Sequence, residues 1–175
     1  MGKMYKAKPI SRKIIRAYVK RLRTYIGLEN ELLFPILKLV EIIFPTVFPN
    51  YTFEVLPKEE MGDKHGETNP DEGWIHIRED VYEGACNGNG RDRFTIAHEA
   101  GHFLMHKTTS ITLCRMDPSK RLKPYENPEW QADAFAGELL APSYLIAEMS
   151  PEEVSKNAMV SISAARVQLS KCPKK

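Results

Sequence analysis

Between Ser11 and Ile26 the chain reads SRKIIRAYVKRLRTYI, with Ile14, Ile15, Tyr18, Val19, Leu22 and Ile26 at helical spacing and Arg or Lys between them. The pattern predicts an amphipathic helix capped by Ser11 and stopped at Gly27. A second, more apolar helix is expected from about Glu29 to Phe44, closed by the Pro45 region. Tyr51 to Leu56 (YTFEVL) alternates with a period of two and predicts a strand; Trp74 to Ile77 (WIHI) predicts another that continues the same sheet. The intervening stretch, Pro57 to Gly73, is polar, rich in Gly, Pro, Asp and Glu, and lacks an apolar period, so it reads as a long exposed loop. Asn87–Gly90 (NGNG) is a sharp break before a helical segment from about Arg91 to Lys107. A Pro-containing connection is expected over 108–128, then helices at about Pro128 to Leu140, Pro142 to Met149 and near the C-terminus. The sum is an α+β fold, mostly helical with a small β-sheet.

With 175 residues, 42% hydrophobic and 27% charged, the chain has the balance of one ordinary globular domain. Residues 1–175 are read as that single domain, with a basic helical segment at 1–50, a catalytic core at about 51–150 and a helical tail at 151–175. The longest apolar stretch, Glu31 to Phe48, carries Lys38 and Glu41 and is broken by Pro35 and Pro45, which argues for a core element and against a membrane span. The opening MGKMYKAKPISRK has no apolar run of the kind a secretory signal needs. Cys86, Cys114 and Cys172 are an odd number without a CxxC pair; they read as reduced thiols, and the expected location is the cytoplasm. Residues 1–27 hold nine Lys/Arg and no acid, whereas residues 54–83 hold ten Asp/Glu against three Lys/Arg. A basic leading segment can contact nucleic acid, but a solvated helix face explains it as well.

The chemistry concentrates in FTIAHEAGHFLMH, where His98-Glu99-Ala100-Gly101-His102 forms an HExxH motif inside a predicted helix. Histidines at i and i+4 share a helical face about 6 Å apart along the axis, so both imidazoles can reach one ion. Glu99, next to the first of them, is placed to act as a base on a water polarised by the ion. Two ligands are incomplete, and a third must come from elsewhere. A metzincin would place Gly three and His six residues after His102; Met105 and Thr108 stand there and exclude that class. His106 continues the i+4 series but sits about 12 Å along the helix from His98. Glu129 and Asp133, four apart on NPEWQADAFAGELL, allow the Glu to reach the metal and the Asp to hydrogen-bond a liganding His. Glu129 reads equally as a first-turn acid that favours the helix dipole, and Glu126 is a further alternative.

The two blocks RDRFTIAHEAGH and EWQADAFAGELLAP together resemble the ImmA/IrrE family of zinc metallopeptidases. Arg91, Phe94, Thr95, Ala97, His98, Glu99, Gly101 and His102 fit its first motif; Glu129, Ala132, Asp133, Phe135, Ala136, Leu139, Leu140 and Pro142 fit its second. The resemblance implies one Zn²⁺ per chain held by His98, His102 and Glu129, with Glu99 as catalytic base and Asp133 supporting a ligand. It also implies a thermolysin-like (gluzincin-type) pair of helices, the HExxH helix packed on a Glu-bearing helix beside a small sheet. Family members act inside bacterial cells on a helix-turn-helix repressor of a mobile element or stress regulon, so the implied partner is such a repressor. Many relatives carry their own N-terminal helix-turn-helix domain, which residues 1–50 do not convincingly hold. That favours a free-standing peptidase meeting its repressor as a protein over one that binds DNA directly. Val160 to Lys171 resembles the family's short helical tail.

The expected function is therefore hydrolysis of a specific protein by a zinc endopeptidase. The competing readings are a partner-binding regulator with a structural or vestigial zinc, and a DNA-binding regulator using residues 1–27 and the C-terminal helix. For the oxyanion that peptide hydrolysis generates, Tyr125, Tyr144, His65 and His76 are candidates of equal standing. The acids of 57–73 are candidates to position a basic stretch of substrate. Nothing in the sequence speaks to oligomeric state.

Overall fold

The computed structural model of the chain describes residues 4–107, 111–114 and 122–173. Strand β1 (Met4–Ala7) is followed by helix α1 (Arg12–Tyr25), whose cap Ser11 accepts from the Ile14 amide. Gly27 ends this helix in the left-handed region at φ +73°, where a glycine carries no Cβ penalty. The second helix does not begin at Glu29. Residues 29–35 are not helical, because Pro35 keeps the residue before it out of the helical region, and helix starts only at Ile36. It runs as α2 (Ile36–Lys38), a π-helical turn (Leu39–Ile43) and α3 (Phe44–Val47). Pro45 therefore lies inside helix and does not close it; it follows the wider π turn, in which the Phe44 amide reaches back to the Leu39 carbonyl.

Strand β2 (Thr52–Leu56) pairs parallel with β4 (Trp74–Arg78), which forms the middle of a three-stranded sheet. The polar segment between them is structured, contrary to the loop expected for 57–73: it holds α4 (Lys58–Met61) and the edge strand β3 (Gly66–Asn69), antiparallel to β4. Helix α5 (Glu79–Cys86), which the apolar pattern did not announce, leads into α6 (Gly90–Met105). A second, two-stranded sheet joins β1 to β5 (Ile111–Cys114), within the stretch expected to be a connection only. Much of that 108–128 stretch, including Thr108, lies outside the described residues. A 3₁₀ turn (Pro124–Glu126) precedes α7 (Pro128–Leu140), and α8 (Ser143–Ile146), α9 (Pro151–Ala158) and α10 (Ile162–Ser170) complete the chain. The fold is α+β and mostly helical.

One hydrophobic core joins these elements. Ile15 and Val19 of α1, Phe34, Ile36, Leu39 and Val40 of the second helical region, Ile75 and Ile77 of β4, Ile96 of α6 and Phe135, Leu139 and Leu140 of α7 are all buried. Phe44, Phe48, Tyr51 and Phe103 pack ring against ring at the seam of sheet and helices. The basic face of α1 is not only solvated. Arg23 is fully buried, with guanidinium N–H groups donating to the Leu139 and Glu31 carbonyls and its charge over the Phe34 ring. Arg16 donates to buried Glu138 at 2.9 Å and to the Lys171 carbonyl, and Arg12 lies 3.7 Å from the same carboxylate. No helix among the described residues is long and apolar enough to cross a membrane.

Candidate metal centre

Helix α6 starts where Asn89 accepts hydrogen bonds from the Arg91 and Asp92 amides, and α7 where Asn127 accepts from the Glu129 amide ahead of Pro128. The two helices lie against each other through small residues: Ala97, Ala100, Ala132, Ala134 and Ala136 are buried. At Gly101 a Cβ would stand 3.3 Å from the Ala132 Cα and 3.0 Å from Phe135 Cδ1, so only glycine lets the helix backbones approach this closely. The consequence is that the HExxH face of α6 and the first turn of α7 meet at one place.

There His98, His102 and Glu129 converge, with one donor atom from each within 4.8 Å of the others. Glu129 Oε2 is 3.3 Å from His98 Nε2, Glu129 Oε1 is 3.4 Å from His102 Nε2, and the two Nε2 atoms are 2.9 Å apart. Four donors arranged tetrahedrally at zinc's bond lengths of about 2.0–2.1 Å stand roughly 3.3 Å from one another, so this set fits a Zn²⁺-sized ion. Its chemistry fits as well, since two imidazoles and a carboxylate are ligands zinc accepts with a fourth position left open. The His98 Nδ1–H donates to Asp133 Oδ1 at 2.9 Å, because a carboxylate only accepts, and this turns Nε2 toward the group. Burial pulls the His98 pKa down, but the hydrogen bonds its ring donates to Asp133 and Glu129 outweigh it and hold the imidazole up at about 9. The hydrogen bonds to His102 and His98 hold Glu129 well below the usual carboxylate range.

His106 does not join this group. It is buried, with Nδ1 2.8 Å from His102 Nδ1 and Nε2 2.9 Å from Gln131 Oε1, and burial pushes its pKa down to about 4. Glu126 pairs instead with Lys6 at 2.8 Å. Glu99 stays out of the donor set and packs against β3, where the Thr68 hydroxyl donates to its Oε2 at 2.5 Å. Gly66 gives it room, since a Cβ there would lie 2.7 Å from Glu99 Cγ. Gly66, Thr68, His98, Glu99, His102, Pro128 and Glu129 line a single cleft of about 400 Å³.

The family model described as Peptidase_M78, the IrrE N-terminal-like domain, matches residues 51–170. The chain belongs to this family. Among curated proteins none matches it significantly. Membership in a peptidase family supports a metallopeptidase-type function, and the family's metal dependence agrees with the His98, His102 and Glu129 group. Within this M78 domain, β3, α6 and the start of α7 build the cleft.

The four residues considered for the oxyanion are not among those lining the cleft. His76 stacks on Trp74 on a strand facing Glu54, Tyr144 donates to the Glu29 carbonyl, and the Tyr125 ring carries Lys123. For His65, the backbone carbonyl accepts from the Arg78 amide. Sequence reasoning overlooked Gly66, Thr68 and Gln131. The first two sit in a segment with no apolar period, and Gln131 is an amide in the interior of α7, fully buried, where pattern alone gives it no role.

Proposed function

We propose that this M78 protein is a zinc-dependent endopeptidase that cleaves a specific protein, a helix-turn-helix repressor of a mobile element or stress regulon, in the cytoplasm. The observation that carries the reading is that His98 Nε2, His102 Nε2 and the Glu129 carboxylate converge on a cleft that Glu99 shares without belonging to the donor set. Zn²⁺ held there supplies Lewis acidity, polarising a carbonyl and bringing the pKa of a water to about 7. Thr68 holds one oxygen of Glu99, which leaves the carboxylate oriented to take a proton from the attacking water and return it to the departing amine. Asp133 keeps His98 in the tautomer that presents Nε2. β3 is an edge strand beside the cleft, and an extended substrate segment can add to its outer side by main-chain hydrogen bonds. The repressor as substrate rests on the resemblance of the two motif blocks to the ImmA/IrrE pattern.

The test pairs metal content with cleavage of a candidate repressor followed by mass spectrometry. The expected result is one zinc per chain in wild type and Glu99→Gln, loss of zinc in Glu129→Ala, and cleavage by wild type alone. Cleavage that survives Glu99→Gln, or zinc retained in Glu129→Ala, contradicts the assignment.

A further inference from the structure

The hydrogen-bond chain behind His102 can be followed to its end, and the end fixes the protons. Gln131 Nε2 lies 2.8 Å from the Lys8 carbonyl oxygen and 2.8 Å from the Tyr125 carbonyl oxygen. Both carbonyls can only accept, so the amide nitrogen of Gln131 must face them and its Oε1 must face the other way. Oε1 meets His106 Nε2 at 2.9 Å and, being an acceptor, requires a proton on that nitrogen. His106 is 2% exposed, and a buried imidazole stays neutral, so a proton on Nε2 leaves a lone pair on Nδ1. That lone pair faces His102 Nδ1 at 2.8 Å, which must then carry the hydrogen. The remaining nitrogen of His102, Nε2, has its lone pair free and points at His98 and Glu129.

We propose that His106 and Gln131 are positioning residues that fix His102 as an Nε2 ligand, with the Lys8 and Tyr125 carbonyls as the anchor of the chain. The inference rests on the metal-binding reading of the previous subsection. It gives the two histidines of HExxH different supports: a carboxylate, Asp133, for His98, and a neutral imidazole backed by an amide for His102. It also brings residues outside the family-matched range into the metal site. Lys8 precedes residue 51, and its neighbourhood is docked onto the turn before α7 by the Ile10 amide, which donates to the same Tyr125 carbonyl at 2.9 Å. The directions propagate outward from the two backbone carbonyls, which can only accept, through Gln131 and neutral His106 to His102, so reversing one proton would leave two like partners facing each other at hydrogen-bond distance.

The experiment measures zinc affinity of the full chain by competition with a chromophoric chelator, for wild type, His106→Leu and His106→Asn. Asn places its Oδ1 where the His106 Nδ1 stands and keeps the acceptor for His102; Leu removes it. The expected result is a 10- to 100-fold weaker affinity in His106→Leu, as is usual when the partner of a ligating histidine is lost, with most of the loss recovered in His106→Asn. Equal losses in both variants, or no loss in His106→Leu, would overturn the proposal. Long-range ¹H–¹⁵N spectra of zinc-loaded wild type give a reading that does not depend on any variant folding. They should show His102 protonated at Nδ1 and His106 at Nε2, and the opposite assignment for either ring overturns the chain. Failure of wild type itself to bind zinc would remove the metal-binding reading and this one together, whereas wild-type binding unaffected by His106→Leu removes only this one.

Discussion

Replacing Gly101 by Ala sets two opposed energies against each other. Alanine is favoured over glycine in a helix interior by about 1 kcal/mol. Against that gain, the new methyl would stand 3.3 Å from the Ala132 Cα and 3.0 and 3.3 Å from the Phe135 Cδ1 and Cβ. Carbon contacts are optimal at roughly 3.5–4.0 Å, so α7 must give way by a few tenths of an ångström, and one of the contacts is backbone. Overpacking of this kind costs about 1–3 kcal/mol, which leaves a net loss of about 1 kcal/mol. In a chain of this size that lowers Tm by about 2–4 °C, measured on zinc-free protein. The same displacement reaches the metal donors, because Glu129 lies one turn before Ala132 on α7 while His98 and His102 are on α6. Strain relieved by letting the helices part must be restored when Glu129 closes on the ion, so zinc affinity should fall about tenfold, equivalent to about 1.4 kcal/mol. Chelator competition beside the thermal melt reads both quantities. A Tm that rises by the full helix-propensity gain, with zinc affinity unchanged, would refute the idea that close approach at Gly101 sets the ligand geometry.

Gly66→Ala places a methyl 2.7 Å from Glu99 Cγ and should shift that side chain by about 1 Å, a misplacement that costs about 100-fold in kcat while zinc content stays at the wild-type level; unaltered kcat on a cleaved repressor would count against Glu99 as the base. In the zinc-free protein His98 is held protonated up to about pH 9, above the unfolded value of about 6.5, so its ion pair with Glu129 and Asp133 stabilises fully below pH 6.5 and is lost as pH rises to 9. Zinc must displace that proton, so apparent zinc affinity should instead rise about tenfold per pH unit from 7 to 9 and then level off, and a flat titration over this range would contradict it. Glu138→Leu removes the buried carboxylate that accepts from Arg16 and from the Ser143 amide and hydroxyl, and should cost about 3 kcal/mol in urea denaturation; a loss below about 0.5 kcal/mol would show that it anchors nothing.

The elements that could be read from the chain are those whose side chains meet the core in a regular rhythm. α1, β4, α6 and α7 each bury a set of apolar residues, and their positions follow from it; β2 shows itself instead by the alternation of its sequence, next to buried Tyr51. β3 could not be read that way, because the inward neighbour of Gly66 and Thr68 is the Glu99 carboxylate rather than apolar side chains. The pairing of β1 with β5 joins distant parts of the chain, which no local pattern encodes. α5 left a trace in Val81 and Ala85, buried four apart, beneath a surface of acids. The second helix starts later than its apolar run, because Pro35 holds the preceding residue out of the helical region. At the site, HExxH marks His98, Glu99 and His102, but spacing left the third donor open among His106, Glu126 and Glu129. Three-dimensional packing separates them: His106 is buried behind His102, Glu126 pairs with Lys6, and Glu129 faces both Nε2 atoms. Arg23 was not legible either, since composition assigns arginine to the surface and only the carbonyls of Leu139 and Glu31 explain its burial.

The docking of α1 against α7 bears on where a heritable unit of this family ends. Residues 51–170 carry the family signature, yet Arg12 and Arg16 answer Glu138, Arg23 occupies the carbonyl at the end of α7, and the Lys8 carbonyl receives the Gln131 amide. Ile15, Val19, Phe34, Ile36, Leu39, Val40 and Phe44, all upstream of the match, fill the core that the matched stretch would otherwise expose. Transplanting only the matched stretch into another protein would leave a buried carboxylate without its cations and an apolar surface without a cover. A functional graft would have to carry α1 and the second helical region with it, or find substitutes for both in its new host.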